Sequence, residues 1–319
     1  MTKDKRQLNR IVFMGTPDFA VASLHALYEA GFNVVGVLTT PPKNAGRGLK
    51  EKMCAVHKAA LHLNIPVCAP KSLRDEDVAK TIASWNADLG VVVAFKKLPL
   101  SIYGAPRLGT FNLHASLLPD YRGAAPINRA IMNGETQTGI TTFLLNDKID
   151  EGNILHSQSI AIEENETAGE LHDKMMHLGA KLVVKTADDY VSGVVKPKPQ
   201  ESDSKKTAPK IFREDTRIDW SKSIDEIHNH IRGLSPYPGA FTEISSPKQT
   251  EVKLFRSKII NRLKNDSSIK HIRNESWTVE LKDGTIEIID IQPKGKRRMA
   301  TTDWLNGLPK GEIKTDNHT

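Results

Sequence analysis

The chain has 319 residues, 39% of them hydrophobic, which is apolar material for more than one core, and two domains are the natural reading. Its two cysteines, Cys54 and Cys68, lack CxxC spacing, which argues against a disulfide framework or thiolate zinc site and fits a reducing, cytoplasmic setting. The net charge of +7 is uneven: residues 1–204 contribute +1 and residues 205–319 contribute +6, so a polyanionic partner is expected for the last third.

Met1–Arg10 is basic, but Gly15-Thr16-Pro17-Asp18 interrupts the apolar residues behind it, so no signal-peptide core is expected. No run reaches the length of a membrane span. Ile11–Met14 reads as a short strand and Pro17 to about Ala30 as a helix, a βα start of nucleotide-binding type. The turn between them lacks the later glycines through which a pyrophosphate approaches the backbone, which argues against NAD binding. Asn33–Leu38 is a second buried strand. Thr39–Lys52, with Pro41-Pro42, Gly46-Arg47-Gly48, Lys43, Lys50 and Lys52, reads as an exposed, flexible, cationic loop. Met53–Leu63 is expected as a helix, Ile65–Cys68 as a brief strand, and Asp75–Asn86 as a helix with acidic residues in its first turn. Leu89–Phe95 is apolar enough to be a strand covered on both faces. Such alternation gives an α/β domain with a Rossmann-like, doubly wound, mostly parallel sheet.

Phe111–Pro126 is the most informative stretch. If Thr110–Leu113 is a strand, Asn112 and His114 point one way while Phe111 and Leu113 face the core. Leu118-Pro119 and Arg122-Gly123 break the strand, and Pro126 suits the first turn of a helix through Met132. An amide and an imidazole therefore share a ledge at a strand's carboxyl end, where open α/β sheets hold their ligands. Gly139–Leu145 is β-rich and Asp147–Gly152 is a polar loop. Asn146, Asp147, Asp150, Glu151 and Asn153 have the composition of a hard-cation site without the spacing of a calcium loop. Ile154–Ile162 alternates as a strand, and Thr167–Val191 is a long helix on which His172 and His177 are surface or capping residues.

Val195–Pro209, rich in proline, lysine and serine, has linker composition, which divides the chain into a domain at 1–195, a linker at 196–209 and a domain at 210–319. Strands at Val252–Phe255, Trp277–Leu281 and Thr285–Ile291, with a hairpin turn at Lys282-Asp283-Gly284-Thr285, suggest a small β-barrel resembling an OB fold. Lys294-Gly295-Lys296-Arg297-Arg298 is the densest basic patch, and the Lys310–Thr319 tail is expected to be disordered.

Asn112-x-His114, Ser116-Leu117-Leu118-Pro119, Arg122-Gly123 and the later Asp150 in Lys148-Ile149-Asp150-Glu151-Gly152 resemble the signature of the folate-dependent formyltransferases. Gly123-Ala124-Ala125-Pro126-Ile127, the run Phe13–Ala20, Arg217-Ile218-Asp219-Trp220 and Ile231–Ala240 look most like one branch, the methionyl-tRNA formyltransferases. Ser245–Asn274 departs from the family pattern. The resemblance implies a protein that uses 10-formyltetrahydrofolate as formyl donor, needs no metal, and acts on initiator methionyl-tRNA; a monomer is expected, although the sequence carries no signal of oligomeric state. It implies Asn112, His114 and Asp150 as catalytic residues, and folate contacts from Ser116, Leu117, Leu118 and Pro119 with Phe95–Leu98 behind them. Arg47, with Lys43 and Lys50 beside it, falls on the family's tRNA-wedging loop, and Lys296, Arg297 and Arg298 are expected to touch tRNA.

The residues suit that chemistry. Formyl transfer needs a neutral attacking amine, a stabilised oxyanion and a proton for the departing nitrogen, which an amide, an imidazole and a carboxylate supply together. The proton roles of His114 and Asp150 stay undivided at this level. Gly-x-Ser-x-Gly is absent, which argues against Ser116 as a nucleophile. The closest competing reading is a sugar-nucleotide N-formyltransferase with the same trio. A phosphoribosylglycinamide formyltransferase leaves the basic third without a purpose, and a non-catalytic tRNA-binding protein leaves the trio without one.

Overall fold

The computed structural model describes residues 6, 9–45, 50–201, 204, 206–263, 269–273, 275–309 and 311–315. The chain forms two compact units, one from residues 1–123, 139–160 and 172–207, the other from 124–138, 161–171 and 208–319.

In the first unit, strands and helices alternate as the hydrophobic pattern requires: β1 (Arg10–Gly15), α1 (Asp18–Glu29), β2 (Asn33–Leu38), β3 (Lys43–Ala45), β4 (Lys50–Lys52), α2 (Ala55–His62), β5 (Val67–Cys68), α3 (Glu76–Ser84), β6 (Leu89–Val93), α4 (Leu100–Tyr103) and β7 (Thr110–His114). After the short β8 (Arg122–Gly123) and α5 (Pro126–Met132), a helix that belongs to the second unit, come β9 (Gln137–Leu144), β10 (Ile154–Ala161), the long α6 (Ala168–Val191) and the two-residue β11 (Thr207–Ala208). A seven-stranded sheet has the order β10-β9-β7-β6-β1-β2-β5. Its β5-β2-β1-β6-β7 part is parallel, and β9 runs antiparallel to β7. Ile11, Val12, Phe13 and Met14 are fully buried, as befits a strand with a neighbour on each edge and helices on its faces. Helix α1 carries Asp18 in its first turn and stops where Gly31 takes a left-handed φ of 87°.

Two expectations change in detail. The strand expected through Phe95 ends at Val93, because Ala94 turns to φ 47°. The cationic stretch expected as a flexible loop contains a hairpin, with Lys43 opposite Lys52 and Ala45 opposite Lys50. Arg47 lies outside the described residues, as does the side chain of Lys50. The tail from Lys310, expected to be disordered, is described at 311–315, where Ile313 and Thr315 are buried and Lys314–Thr315 pairs with the strand Ala240–Ser246; the rest of the tail lies outside the described residues.

In the second unit, α7 (Ile224–Gly233) packs on an antiparallel sheet of β12 (Ala240–Ser246), β13 (Thr250–Asn261), β14 (Lys270–Arg273), β15 (Trp277–Leu281), β16 (Gly284–Pro293), β17 (Met299–Ala300) and β18 (Lys314–Thr315), with α8 (Thr301–Asn306) before β18. The order β14-β15-β16-β13-β12-β18, with β17 on β16, makes a nearly closed barrel. Strand β13, in the stretch that departs from the family pattern, is the barrel's longest, twelve residues against the ten of β16. Ile224, Ile227 and Ile231 of α7 pack with Trp220, Trp277, Val279 and Ile288 in one apolar core. A capping box holds the start of α7: Ser223 Oγ accepts from Glu226 N–H, and the Glu226 carboxylate accepts from Ser223 N–H at 3.0 Å. The Asp283 carboxylate, on the β15–β16 turn, also accepts from Ile224 N–H.

His228 of α7 is 4% exposed, with Nδ1 at 2.9 Å from Ser257 Oγ and Nε2 at 3.3 Å from the Glu164 carbonyl. Burial pushes its pKa below the ordinary 6.5, Arg232 adds to that, and the Glu164 carbonyl with the charges of Asp225 and Glu164 opposes it. His230 is pushed the same way by burial. The unfolded chain therefore binds these protons more tightly than the folded one. Stability is full above pH 6.5 and falls as the pH drops towards the lowered folded values. Urea midpoints should fall from pH 7.5 to pH 5.5, with a shallower fall in His228→Gln; identical pH slopes in the two proteins would remove His228 as a cause.

Candidate active site

The site is built on β7 and the loop that leaves it. Phe111 and Leu113 are buried, while Asn112 is half-buried and takes the opposite face with His114, as strand alternation dictates. Val92 of β6 flanks Asn112 on one side and Phe143 of β9 on the other. Among the described residues the Asn112 amide has no hydrogen-bond partner, so its two N–H donors are available to a ligand.

His114 is held firmly. Its ring is 6% exposed, and Nε2 lies 2.9 Å from the Tyr121 carbonyl. A carbonyl only accepts, so Nε2 carries the proton in the neutral ring and Nδ1 presents a lone pair. That nitrogen faces Asp150 Oδ2 at 3.8 Å, inside ion-pair range but beyond hydrogen-bond length. The carboxylate has its own anchor, because Oδ2 accepts from Gly123 N–H at 2.9 Å. The structure thus brings the distant Asp150 to the imidazole, as expected.

Left-handed backbone shapes both approaches. Tyr121, 4% exposed, has φ 58°, a conformation that aims its carbonyl at His114 while its N–H donates to the Lys206 carbonyl at 2.7 Å. Asp150 has φ 55°. Two residues on, Gly152 lies so close to β9 that an added Cβ would sit 1.6 Å from the Leu144 carbonyl oxygen, so no other residue fits there.

The Ser116-Leu117-Leu118-Pro119 turn is fixed by Thr141 of β9. Thr141 Oγ1 donates to the Ser116 carbonyl at 2.7 Å and accepts from Leu118 N–H at 3.1 Å. Its single proton is thereby engaged, so Ser157 is the donor in their 3.2 Å contact. Ser116 is fully buried and its hydroxyl donates to the Asp120 carbonyl at 2.6 Å, which makes it part of the turn rather than a free nucleophile. Leu117 and Pro119 are half-buried and Leu118 is buried. Gly139 of β9 leaves the space that Leu117 fills.

The basic residues are placed elsewhere. Lys43 is exposed on the hairpin. Lys296 and Arg297 are exposed in the turn after β16, where Gln292 Nε2 donates to the Lys296 carbonyl at 2.9 Å. Arg298 differs from them: it pairs with Asp290, Nε to Oδ2 at 2.8 Å, and its guanidinium lies 4.5 Å from the centroid of the Phe255 ring. Among the described residues no three or more His, Cys, Asp or Glu side chains converge as a metal site would require, and no helix is long and apolar enough to cross a membrane.

Sequence reasoning missed the parts played by Thr141, Tyr121 and Gly123, of which only the glycine stood in a recognisable motif. A hydroxyl that bonds a turn on another strand, or a carbonyl that orients an imidazole, carries no local signature.

A formyl transferase family model matches residues 9–187, and a formyl transferase C-terminal domain model matches residues 210–309. The chain belongs to the formyltransferase family. It is 50% identical over 312 residues to the methionyl-tRNA formyltransferase of Azobacteroides pseudotrichonymphae genomovar. CFP2, covering 93% of this chain and 95% of that one. It is 45% identical to the methionyl-tRNA formyltransferase of Bacteroides fragilis, with 95% and 96% of the two chains covered. Among solved structures, the N-formyltransferase from Helicobacter canadensis in complex with folinic acid and dTDP-3-aminofucose aligns with a TM-score of 0.66 at 20% identity, over 90% of this chain and all of that one. At that identity the likeness is one of fold. The formyltransferase thus carries Asn112 and His114 on β7, Ser116–Pro119 and Arg122-Gly123 in the stretch that follows, and Asp150 between β9 and β10.

Thr141→Val leaves the Ser116 carbonyl and Leu118 N–H without their partner in a fully buried position. Chemical denaturation should show a loss of about 1–3 kcal/mol. An unchanged midpoint would show that the turn is held by packing alone.

Proposed function

We infer that this formyltransferase moves the formyl group of 10-formyltetrahydrofolate to the free amine of methionyl initiator tRNA, giving N-formylmethionyl-tRNA for translation initiation. One observation carries the reading: an unpartnered amide, an oriented imidazole and an anchored carboxylate share the carboxyl end of β7, in a chain half identical to a methionyl-tRNA formyltransferase. The donor set suits a folate formyl group, since it offers N–H donors for one oxygen and a proton acceptor beside it. The bound folate would supply an activated formyl carbon next to a nitrogen able to leave.

The residues then take distinct tasks. Asn112 donates to the formyl oxygen and stabilises the charge that grows there, a contribution of about 3 kcal/mol for a single such donor. The turn from Ser116 to Pro119 walls the folate through backbone and shape, because the Ser116 hydroxyl is engaged internally. His114 Nδ1 and Asp150 Oδ2 handle the proton, which leaves the amine as the C–N bond forms and reaches the departing nitrogen as the other C–N bond breaks. Tyr121 fixes the ring so that Nδ1 is the nitrogen that exchanges. No metal is required by these steps.

The acceptor is bound through charge. The +6 of residues 205–319 and the exposed Lys296 and Arg297 suit a phosphate backbone, and Lys43 with Arg47 and Lys50 forms a second cationic element. Arg298, engaged with Asp290, buttresses the patch and is the least free of its three cations. An initiator-tRNA substrate would place the protein in the cytoplasm.

Asn112→Ala should lower kcat for formyl transfer to methionyl-tRNA by about 100-fold or more while the fold stays intact. Unchanged turnover would remove Asn112 from the mechanism. Replacing Lys296 and Arg297 with alanine should raise KM for tRNA and reduce the slope of log KM against log salt by about one to two units, leaving folate KM unaffected. An unchanged salt slope would place the tRNA elsewhere, and preferential formylation of an aminosugar nucleotide would replace the acceptor assignment.

A further inference from the structure

The stretch at 196–209, of linker composition, does not hang free where the structure describes it. Lys198 exchanges two backbone hydrogen bonds with Ile154 of β10, at 2.7 and 2.9 Å, and the Lys206 carbonyl accepts from Tyr121 N–H. Gln200 lies between these points. Its Nε2 donates to the Asp150 carbonyl and to the Gly152 carbonyl, both at 2.8 Å. Its Oε1 accepts from Arg122 Nε at 3.1 Å and Nη2 at 2.7 Å. A primary amide offers two protons and two lone pairs, so every polar valence of this side chain is engaged.

All four partners bear on one carboxylate. Two belong to the loop that carries Asp150, whose left-handed backbone at φ 55° needs outside support in a residue with a Cβ. The other two belong to Arg122, the residue before Gly123, whose N–H donates to Asp150 Oδ2. A closed ring of contacts runs from Gln200 to Arg122, through Gly123 to the Asp150 side chain, and back to Gln200 through the Asp150 carbonyl. The Arg122 guanidinium also lies 3.9 Å from Glu151, which ties the same loop by charge. Among the described residues Gln200 is the one side chain that hydrogen-bonds both to Arg122 and to the loop of Asp150.

The geometry points to Gln200 as the positioning residue for Asp150: it locks the loop carbonyls and Arg122 in one frame, and so holds the carboxylate at its distance from His114. Gln200 touches no reacting atom and acts through its partners. Glutamine suits the position because a primary amide offers two N–H donors for two carbonyls and, on a separate atom, two lone pairs for a guanidinium; a carboxylate satisfies Arg122 but repels the carbonyls, and an amine does the reverse. This inference rests on the assignment of Asp150 to proton handling.

The test is a cycle of full-length variants assayed in single turnover on methionyl-tRNA: Gln200→Leu, Gln200→Glu, Asp150→Asn, and Asp150→Asn combined with Gln200→Leu. Gln200→Glu keeps size and the Arg122 contact, so it decides the matter if Gln200→Leu folds poorly. Both single Gln200 variants should lose about tenfold or more in rate, with KM for methionyl-tRNA little changed and an altered pH–rate profile. In the Asp150→Asn background, Gln200→Leu should add little, because the group it positions is already disabled. Rates equal to the parent, or losses that multiply with Asp150→Asn, would overturn the inference. A fully active Asp150→Asn overturns the Asp150 assignment and this inference with it, whereas an inactive Asp150→Asn beside a fully active Gln200→Glu overturns this inference alone.

Discussion

The site depends on the hydrogen bond between His114 Nε2 and the Tyr121 carbonyl. A buried imidazole that gives its proton to a backbone acceptor has its tautomer and ring plane decided at once. Its other nitrogen is then committed to whatever lies opposite, and here that is Asp150. The left-handed Tyr121, the Thr141 bridge across the turn, the missing Cβ at Gly152 and the anchored N–H of Gly123 all keep that opposition in place. Asn112, two residues before His114 on the same strand face, then needs only the strand's own geometry to share the ledge. A preorganised arrangement of this kind contributes to rate because no reorganisation is required as charge develops.

Much of this was legible in the sequence because it follows from local periodicity. Alternation in Phe111–His114 set the faces of β7, the apolar run at Leu89–Phe95 marked a central strand that ends at Val93, and an Asp downstream of Arg122-Gly123 matched a family signature. The convergence of Asp150 with His114 was legible only through that resemblance, since no local rule ties residue 150 to residue 114. Helix α7 was not among the expected elements in spite of its Ser223-x-x-Glu226 capping box, because ten residues with only Ile224, Ile227 and Ile231 apolar at helical spacing make a weak periodic signal. The β3–β4 hairpin was hidden by glycines and charges that also suit a loop. Gln200 was invisible in principle: a lone glutamine in a proline- and lysine-rich stretch has linker composition, and its four partners become apparent only in three dimensions.

The second unit obeys a different logic. Its core is apolar and aromatic, with Trp277 and Trp304 at 5.8 Å between centroids and Trp220 edge-on to His271 at 5.0 Å. Among its described charged side chains only Arg232 and Glu166 are buried, and residues 205–319 hold nearly all of the chain's positive excess. The chemistry proposed for the first unit and the positive excess of the second would fit a small donor gripped by shape and a large acceptor gathered by field. That division agrees with family models that match the two parts of the chain separately.

The central claim concerns one proton. Nitrogen-15 NMR of the histidine-labelled protein above pH 8.5, with the His114 ring assigned by difference from a His114→Gln sample, reports which ring nitrogen is protonated. The account predicts a neutral ring protonated at Nε2 and bare at Nδ1. A ring protonated at Nδ1 and donating to Asp150 would contradict it, because the nitrogen assigned to proton exchange would already be occupied.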